Sequence, residues 1–287
     1  PLVVQKQELD PSKKALAEKT IAEIESSLYL VKNSLAEKYL REQRGLNIDY
    51  PVENLYFSTI HHYDTTYKSE SQKPALLARL TSYKGELEAY QRIYLKQSGE
   101  KLERKQTPKL TTNTMLDSAA SVKLFPSAKV MGIAEGVETA LAAHELSGLP
   151  IDAAINAKRL ENWFPPKVCT VVYIFSDLDQ PDPKTGKRPG YESAVKLYHK
   201  LIKVGIQCYL LTPGVDIPES KHSWDFNDFY NSVRGLTFNE SQLKSLAIDV
   251  PANKNERSSD ETYSNWKEYA PIDIYPEKQI IESKGGS

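Results

Sequence analysis

The fold of this chain is decided by the stretch 130-VMGIAEGVETALAAHEL-146. Its first five residues are mostly apolar and predict a buried strand, and the apolar spacing after residue 136 predicts a helix that ends near Gly148. Between the two elements stand Glu135 and Gly136, so a carboxylate ends the strand and a glycine turns the chain into the helix. This strand, turn and helix predict the first unit of an α/β arrangement.

A second stretch, 168-VCTVVYIFSDLD-179, contains the most hydrophobic strand of the chain and ends in two aspartates. Strands and helices alternate around it, with a helix predicted over residues 191–204 and a strand over residues 206–211. Such alternation predicts an α/β fold with a mostly parallel sheet flanked by helices. Two short closing helices are predicted over residues 225–233 and 239–246.

The upstream part of the chain has a different pattern. Residues 11–44 are rich in Ala, Leu, Glu and Lys and predict two helices, whereas residues 75–83 and 86–95 predict a β-hairpin around a Lys-Gly turn. We therefore expect a smaller α+β domain, made of helices and a β-hairpin, before the α/β domain. The predicted organisation is an accessory domain over residues 1–125, a catalytic domain over residues 126–250, and a polar tail or linker over residues 251–287.

Composition and charge limit the classes of function. The 287 residues are 40% hydrophobic and 26% charged, as in ordinary globular proteins, and no run approaches the roughly 18 apolar residues of a membrane span. The absence of such a run leads us to expect no membrane partner. Cys169 and Cys208 cannot supply a disulfide framework or a four-cysteine zinc site, so a reducing, cytoplasmic setting is expected. Residues 66–130 carry twelve Lys/Arg against six Asp/Glu, which suits a polyanionic partner or a merely solvated surface.

The acidic residues Glu135, Asp177 and Asp179 are the candidate catalytic residues. Ligands of open α/β sheets bind outside the carboxyl ends of the strands, where all three lie. Three converging carboxylates repel one another unless cations lie among them, and hard oxygen ligands favour Mg²⁺ or Mn²⁺. Such ions serve phosphoryl or nucleotidyl transfer. A solvated loop or ordinary helix capping explains each motif singly, and it is their joint occurrence that points to function.

Together the two acidic motifs resemble the signature of the Toprim fold, which is shared by bacterial-type primases, type IA and type II topoisomerases, and certain nucleases and recombination proteins. The segment from Glu135 to Ala142 is similar to the version in primases of plasmids, phages and other mobile elements. Other segments resemble the same proteins: residues 153–160 between the acidic motifs, residues 224–228 after them, and residues 39–46, 74–79, 92–95 and 98–101 in the accessory domain that precedes Toprim there.

The resemblance implies roles for individual residues. Glu135 would be a metal ligand or general base, and Asp177 and Asp179 would hold the magnesium ions. Asp225 and Asp228 would be further metal ligands, although a helix N-cap explains Asp225 equally well. Five basic residues are candidates for binding nucleic acid or nucleotide phosphates, with exposed strand arginines and a solvated loop as the alternatives: Arg79, Arg92, Lys184, Lys187 and Arg188.

The implied activity is synthesis of short RNA primers on a single-stranded DNA template from ribonucleoside triphosphates, with Mg²⁺ or Mn²⁺ as cofactor and a replicative helicase as a further partner. Two alternatives stay open, namely a Toprim metal-dependent nuclease and a non-catalytic DNA-binding accessory protein of replication. Complete primases of this kind usually carry a zinc-binding module, which two cysteines cannot build. Either that module lies outside this chain or the protein functions without it.

Overall fold

The computed structural model describes residues 10–113, 119–213, 217, 221–234 and 236–250. The predicted tail or linker over residues 251–287 lies outside the described residues. The N-terminal part of the chain forms an antiparallel sheet, and the following part forms a mostly parallel sheet with helices on both faces. The predicted fold class is confirmed.

Five antiparallel strands form the N-terminal sheet and lie side by side in chain order. They are β1 (Tyr29–Leu30), β2 (Leu55–Asp64), β3 (Ser69–Thr81), β4 (Leu87–Tyr94) and β5 (Lys109–Asn113). The predicted hairpin is β3 and β4, and its turn contains Gly85 at φ +84°, a conformation that glycine adopts without steric cost. The hairpin is therefore confirmed, and the sheet extends beyond it on both sides.

One helix precedes β1 and another follows it. Helix α1 (Pro11–Glu25) packs Ile21 and Ile24 against the apolar residues of the N-terminal sheet. Helix α2 (Leu35–Lys38) begins where the Ser34 side chain accepts the backbone N–H groups of residues 36 and 37, and it continues into a π-helical turn over Tyr39–Gln43. This turn buries Tyr39, whose hydroxyl donates to Glu138, and it leads into Arg44, which pairs with Asp225.

The strands of the second sheet are β6 (Val122–Lys123), β7 (Val130–Ala134), β8 (Ile151–Ala153), β9 (Val171–Phe175) and β11 (Gln207–Leu211). They lie in the order β11-β9-β7-β8-β6, and all are parallel except β6. A separate antiparallel pair, β10 (Leu178–Asp179) with β12 (Ser223–Trp224), lies beside this sheet. The strand predicted within residues 168–179 begins at Val171, three residues into that stretch, because the Cys169 N–H donates to the Pro166 carbonyl oxygen in a turn.

Helices cover both faces of the second sheet, because successive strand residues point to opposite sides. The helices are α3 (Val137–Ser147), α4 (Ala157–Asn162), α5 (Pro189–Lys203), α6 (Phe226–Ser232) and α7 (Glu240–Ser245). Val172 and Ile174 of β9 pack towards α4 and α5, whereas Tyr173 and Phe175 pack towards α3, α6 and the N-terminal sheet. None of the helices in the described ranges is long and apolar enough to cross a membrane.

The centre of β7 has no space for a side chain at Gly132. A Cβ there would lie 2.4 Å from Cδ1 of Ile151 and 2.8 Å from Cε2 of Phe175. We expect Gly132→Ala to lower the free energy of unfolding by about 1–3 kcal/mol, the usual effect of overpacking a core, in urea denaturation. Ile151→Val removes Cδ1, so the double variant should recover part of that loss. Unchanged stability in Gly132→Ala would contradict this close packing.

Candidate active site

The parallel pairing of β7 and β9 brings the two acidic motifs together. Ala134 pairs with Phe175, so Glu135 stands opposite Ser176, one residue before Asp177. Neighbouring strands lie about 4.8 Å apart. Glu135 and Asp177 therefore leave the same carboxyl edge of the sheet on adjacent strands.

A fourth carboxylate reaches this edge through the separate strand pair. Leu178 of β10 pairs with Trp224 of β12, and because the strands are antiparallel the next residue, Asp225, reaches the level of Asp177. Asp225 is close enough for its charge to raise the pKa of Asp177 further. We call these four residues the acidic cluster: Glu135, Asp177, Asp179 and Asp225.

The acidic cluster is electrostatically costly without a cation or proton. Burial raises the pKa of Asp177 well above its ordinary value, and the charges of the other three members add to the shift. Burial and the Asp179 charge likewise raise the pKa of Glu135, and burial raises that of Asp179. Oδ1 of Asp177 is buried and has no hydrogen-bond partner among the described residues. Such an oxygen is suited to a cation that the protein does not itself supply.

A hydrated divalent ion fits these oxygen donors. Within the described ranges, no three His, Cys, Asp or Glu side chains form a ready-made metal site. Mg²⁺ needs none, because it usually keeps several waters and binds through one or two carboxylates together with substrate phosphates. Oδ1 of Asp177, which has no partner in the described part of the chain and lies beside Glu135 and Asp179, therefore fits Mg²⁺ or Mn²⁺.

Helix α5 begins against the acidic cluster. A Cβ on Gly190 would lie 2.9 Å from Oε2 of Glu135 and 3.6 Å from Oδ2 of Asp179, so both carboxylates lie beside the positive end of this helix. Arg188, immediately before the helix, lowers the pKa of Asp179 against the effect of burial. Arg188 therefore lies close to the acidic cluster, and phosphate binding by Arg188 stays a prediction.

The neighbouring loop holds the other two predicted contacts, Lys184 and Lys187. Both residues are exposed, and their backbone N–H groups donate to the side chains of Asp182 and Thr185. The loop is therefore shaped by its own hydrogen bonds, and phosphate binding by the two lysines stays a prediction.

Asp225 and Asp228 are both engaged at the start of α6. Oδ1 of Asp225 accepts the Asp228 backbone N–H at 2.7 Å, which is the N-cap arrangement considered above, while Oδ2 lies 3.4 Å from a guanidinium nitrogen of Arg44. Asp228 pairs with Lys221 at 2.6 Å and returns a capping contact to Asp225. Asp225 thus combines a capping role with membership of the acidic cluster, and metal binding by either residue stays a prediction.

The arginines of the hairpin have structural partners in the N-terminal sheet. Arg79 Nε lies 3.7 Å from a carboxylate oxygen of Glu25 in α1. Arg92 donates to the Tyr94 hydroxyl at 3.0 Å, and its guanidinium lies 5.8 Å from the centre of the same ring. These contacts fit the structural alternative, and phosphate binding by Arg79 and Arg92 stays a prediction.

A group of cations that the sequence reasoning missed lies beside the acidic cluster, and we call it the basic cluster: Arg44, Lys101 and Lys109. All three come from the N-terminal part of the chain and surround the buried carboxylate of Glu138 in α3. Lys109 also lowers the pKa of Glu135 and of Asp177. The sequence contained one signal for the basic cluster, because Glu138 is a charged residue in a mostly apolar helix and a buried charge requires a partner.

Two family models match the chain. Residues 130–234 match a model described as the Toprim domain, and residues 11–122 match one described as a domain of unknown function (DUF7146). A search of curated proteins found no match to the chain. The first model covers the whole acidic cluster and confirms the Toprim domain that the sequence motifs predicted. That the chain is a primase of the plasmid, phage or mobile-element type stays a prediction.

Solved primase structures are similar to this chain at low sequence identity. The catalytic domain of a DnaG primase bound to single-stranded DNA shares 11% identity over 79% of this chain and 77% of its own, with a TM-score of 0.48. The E. coli primase catalytic core shares 11% over 90% and 85%, with a TM-score of 0.47. An Aquifex aeolicus primase fragment with zinc-binding and RNA polymerase domains shares 14% over 81% of this chain, with a TM-score of 0.42, and this chain spans 60% of that fragment.

Proposed function

Because the chain carries a Toprim domain over residues 130–234, we propose that it is a primase-like nucleotidyltransferase that makes short RNA primers on single-stranded DNA. The observation that carries the proposal is the acidic cluster, with the unpartnered Asp177 oxygen described above, next to the basic cluster of the N-terminal part. Residues 1–125 would form the accessory domain and residues 126–250 the catalytic domain. Carboxylates next to lysines suit a reaction in which metal ions and a polyphosphate meet.

The proposed chemistry divides the work between the two clusters. When bound at Glu135, Asp177 and Asp179, Mg²⁺ or Mn²⁺ would supply Lewis-acid polarisation of phosphoryl oxygens. Toprim domains generally bind divalent metal ions such as Mg²⁺. Glu135, whose pKa burial raises, is suited to accept the proton of the attacking hydroxyl at its carboxylate. Lys101, Lys109 and Arg188 would bind phosphate oxygens.

The proposed partners follow from this chemistry. Ribonucleoside triphosphates are the substrates, and single-stranded DNA is the template on which they are joined. A replicative helicase is a further proposed partner, and the cytoplasm is the proposed location. The positive balance of residues 66–130 supports a polyanionic partner on the N-terminal side.

A single incubation tests the proposal against its alternatives. The protein is mixed with single-stranded DNA, four ribonucleotides and Mg²⁺ or Mn²⁺, with labels on both the DNA and one nucleotide. A primase produces labelled RNA that depends on the template and on the metal ion. Shortened DNA would indicate the nuclease alternative, and a mobility shift without new RNA would indicate a DNA-binding accessory protein. Either of these two outcomes would refute the primase proposal.

A further inference from the structure

Glu138 is a buried carboxylate, 4% exposed, in the first turn of α3. Its Oε1 accepts the Tyr39 hydroxyl at 2.9 Å and lies 3.0 Å from Nζ of Lys109, while Nζ of Lys101 lies 3.9 Å away. Burial alone would raise the pKa of Glu138, but Lys109, Lys101 and Arg44 outweigh burial and hold the pKa well below its usual range. Glu138 is therefore ionised at neutral pH and is the centre of the basic cluster.

The two lysines contact Glu138 on one side and face solvent on the other. Their side chains are 33% and 34% exposed, whereas the Glu138 side chain is 5% exposed. Lys109 begins β5, and Lys101 lies in an isolated β-bridge with Leu95, so both backbones are held by the N-terminal sheet. A lysine side chain is a flexible four-carbon stem, and fixing its ammonium group requires an anchor such as this carboxylate.

The two ammonium groups would repel each other without that carboxylate. Burial and the neighbouring Lys109 lower the pKa of Lys101 to about 8, and the charge of Glu138 opposes this lowering. Lys109 also lies close enough to the acidic cluster to lower the pKa of Glu135 and of Asp177. Glu138 thus holds the two charged lysines together close to the acidic cluster, where a polyphosphate would bind.

We propose that Glu138 is a positioning residue that holds Lys101 and Lys109 where they bind the phosphates of an incoming nucleoside triphosphate. The identity of the ligand rests on the proposed function. Glu138 is enclosed and does not touch the nucleotide, and it acts through the two lysines. Its charge is needed because a neutral side chain of the same shape would leave two ammonium groups side by side.

The test compares Glu138→Gln with Glu145→Gln as a matched control. Glu145 lies two turns later in α3 and accepts the backbone N–H groups of Asn47 and Ile48 at 2.7 and 3.1 Å. It thus joins α3 to the N-terminal part of the chain, and the described residues place no lysine in a salt bridge with it. Loss of a domain contact should affect both variants alike, whereas loss of lysine positioning should affect Glu138→Gln alone.

Binding is measured first on metal-free protein, with inorganic tripolyphosphate as the probe in isothermal titration calorimetry. We expect Glu138→Gln to weaken tripolyphosphate binding at least about tenfold, and Glu145→Gln to bind like the wild type. In primer synthesis, Glu138→Gln should raise the KM for nucleotide more than it lowers kcat. Equal effects of the two variants, or tighter tripolyphosphate binding in Glu138→Gln, would overturn the proposal, the latter because the carboxylate would then compete for the lysines.

Tyr39→Phe keeps the proposal testable if Glu138→Gln does not fold. This variant removes the hydroxyl that donates to Glu138 and keeps the buried ring. It should weaken tripolyphosphate binding by about threefold, the effect of one lost hydrogen bond, and an unchanged affinity would count against the proposal. A wild-type protein that binds tripolyphosphate in a Glu138-dependent way but makes no primers would refute the proposed function and leave phosphate binding by the lysines in place.

Discussion

Asp177→Asn and Asp179→Asn are each expected to lower primer synthesis by about 10³-fold while the protein stays folded. Asparagine keeps the shape of the side chain but removes a negative charge and a strong oxygen ligand. The buried Oδ1 of Asp177, which lacks a partner among the described residues, is the oxygen on which the metal site depends most. Initial rates of primer synthesis and melting curves are measured on the same samples, with and without Mg²⁺.

Stability should change in the opposite direction to activity in Asp177→Asn. Burial and three neighbouring carboxylates raise the pKa of Asp177 in the folded protein. The protonated Asp177 side chain therefore contributes fully to the free energy of unfolding below the ordinary carboxyl pKa, and this contribution is lost as the pH rises through the raised pKa of the folded protein. Without Mg²⁺ at neutral pH, the variant should therefore melt at a higher temperature than the wild type, and the difference should shrink as the pH falls. Mg²⁺ should raise the melting temperature of the wild type and leave that of the variant nearly unchanged.

Asp182→Asn is the matched control for these substitutions. Asp182 lies in the loop that follows Asp179 and is exposed, and its carboxylate accepts N–H groups of its own loop. We expect Asp182→Asn to retain activity within about threefold, since surface substitutions are usually nearly neutral. If Asp179→Asn unfolds the protein or stays fully active, the aspartates of the acidic cluster are structural and the site is misassigned.

Gly190→Ala is expected to lower activity by about 10²-fold without loss of stability. The added Cβ would lie 2.9 Å from Oε2 of Glu135, which must move by several tenths of an ångström or rotate away. Misplacement of a reacting group by about 1 Å can lower a rate by about 10²-fold. Alanine also favours the helix by up to about 1 kcal/mol relative to glycine, so the melting temperature should stay the same or rise.

A size series separates this effect from a general disturbance of α5. Gly190→Val should lower activity further than Gly190→Ala, because the larger side chain also approaches Oδ2 of Asp179, 3.6 Å from the Cβ position. Lys196→Ala, on the same helix and paired with Glu161, should leave primer synthesis close to the wild-type rate. Full activity in Gly190→Ala would show that Glu135 does not need its present position.

Three members of the acidic cluster could be predicted from the sequence because their positions depend on local pattern. Apolar runs predicted β7 and β9, and a carboxylate directly after each run had to leave the same edge once the strands were parallel. Glu135, Asp177 and Asp179 needed no knowledge of distant contacts. The same locality explains why the hairpin of β3 and β4 and the end of α3 at Gly148 were predictable.

The remaining parts of the site depend on tertiary structure. Asp225, which only the family resemblance had named as a candidate, enters the acidic cluster through the pairing of β10 with β12, and Lys101 and Lys109 reach Glu138 from the N-terminal part of the chain. The chain has 37 Lys/Arg and 38 Asp/Glu, and the sequence around a buried charged residue does not say which opposite charge from a distant segment it will meet. A charge is fixed in place only where packing removes water from around it, because an exposed ion pair contributes little. Local periodicity in the sequence therefore determined the strands and the carboxylates at their ends. Only the burial of Glu138 against the N-terminal part of the chain determined which cations lie beside these carboxylates.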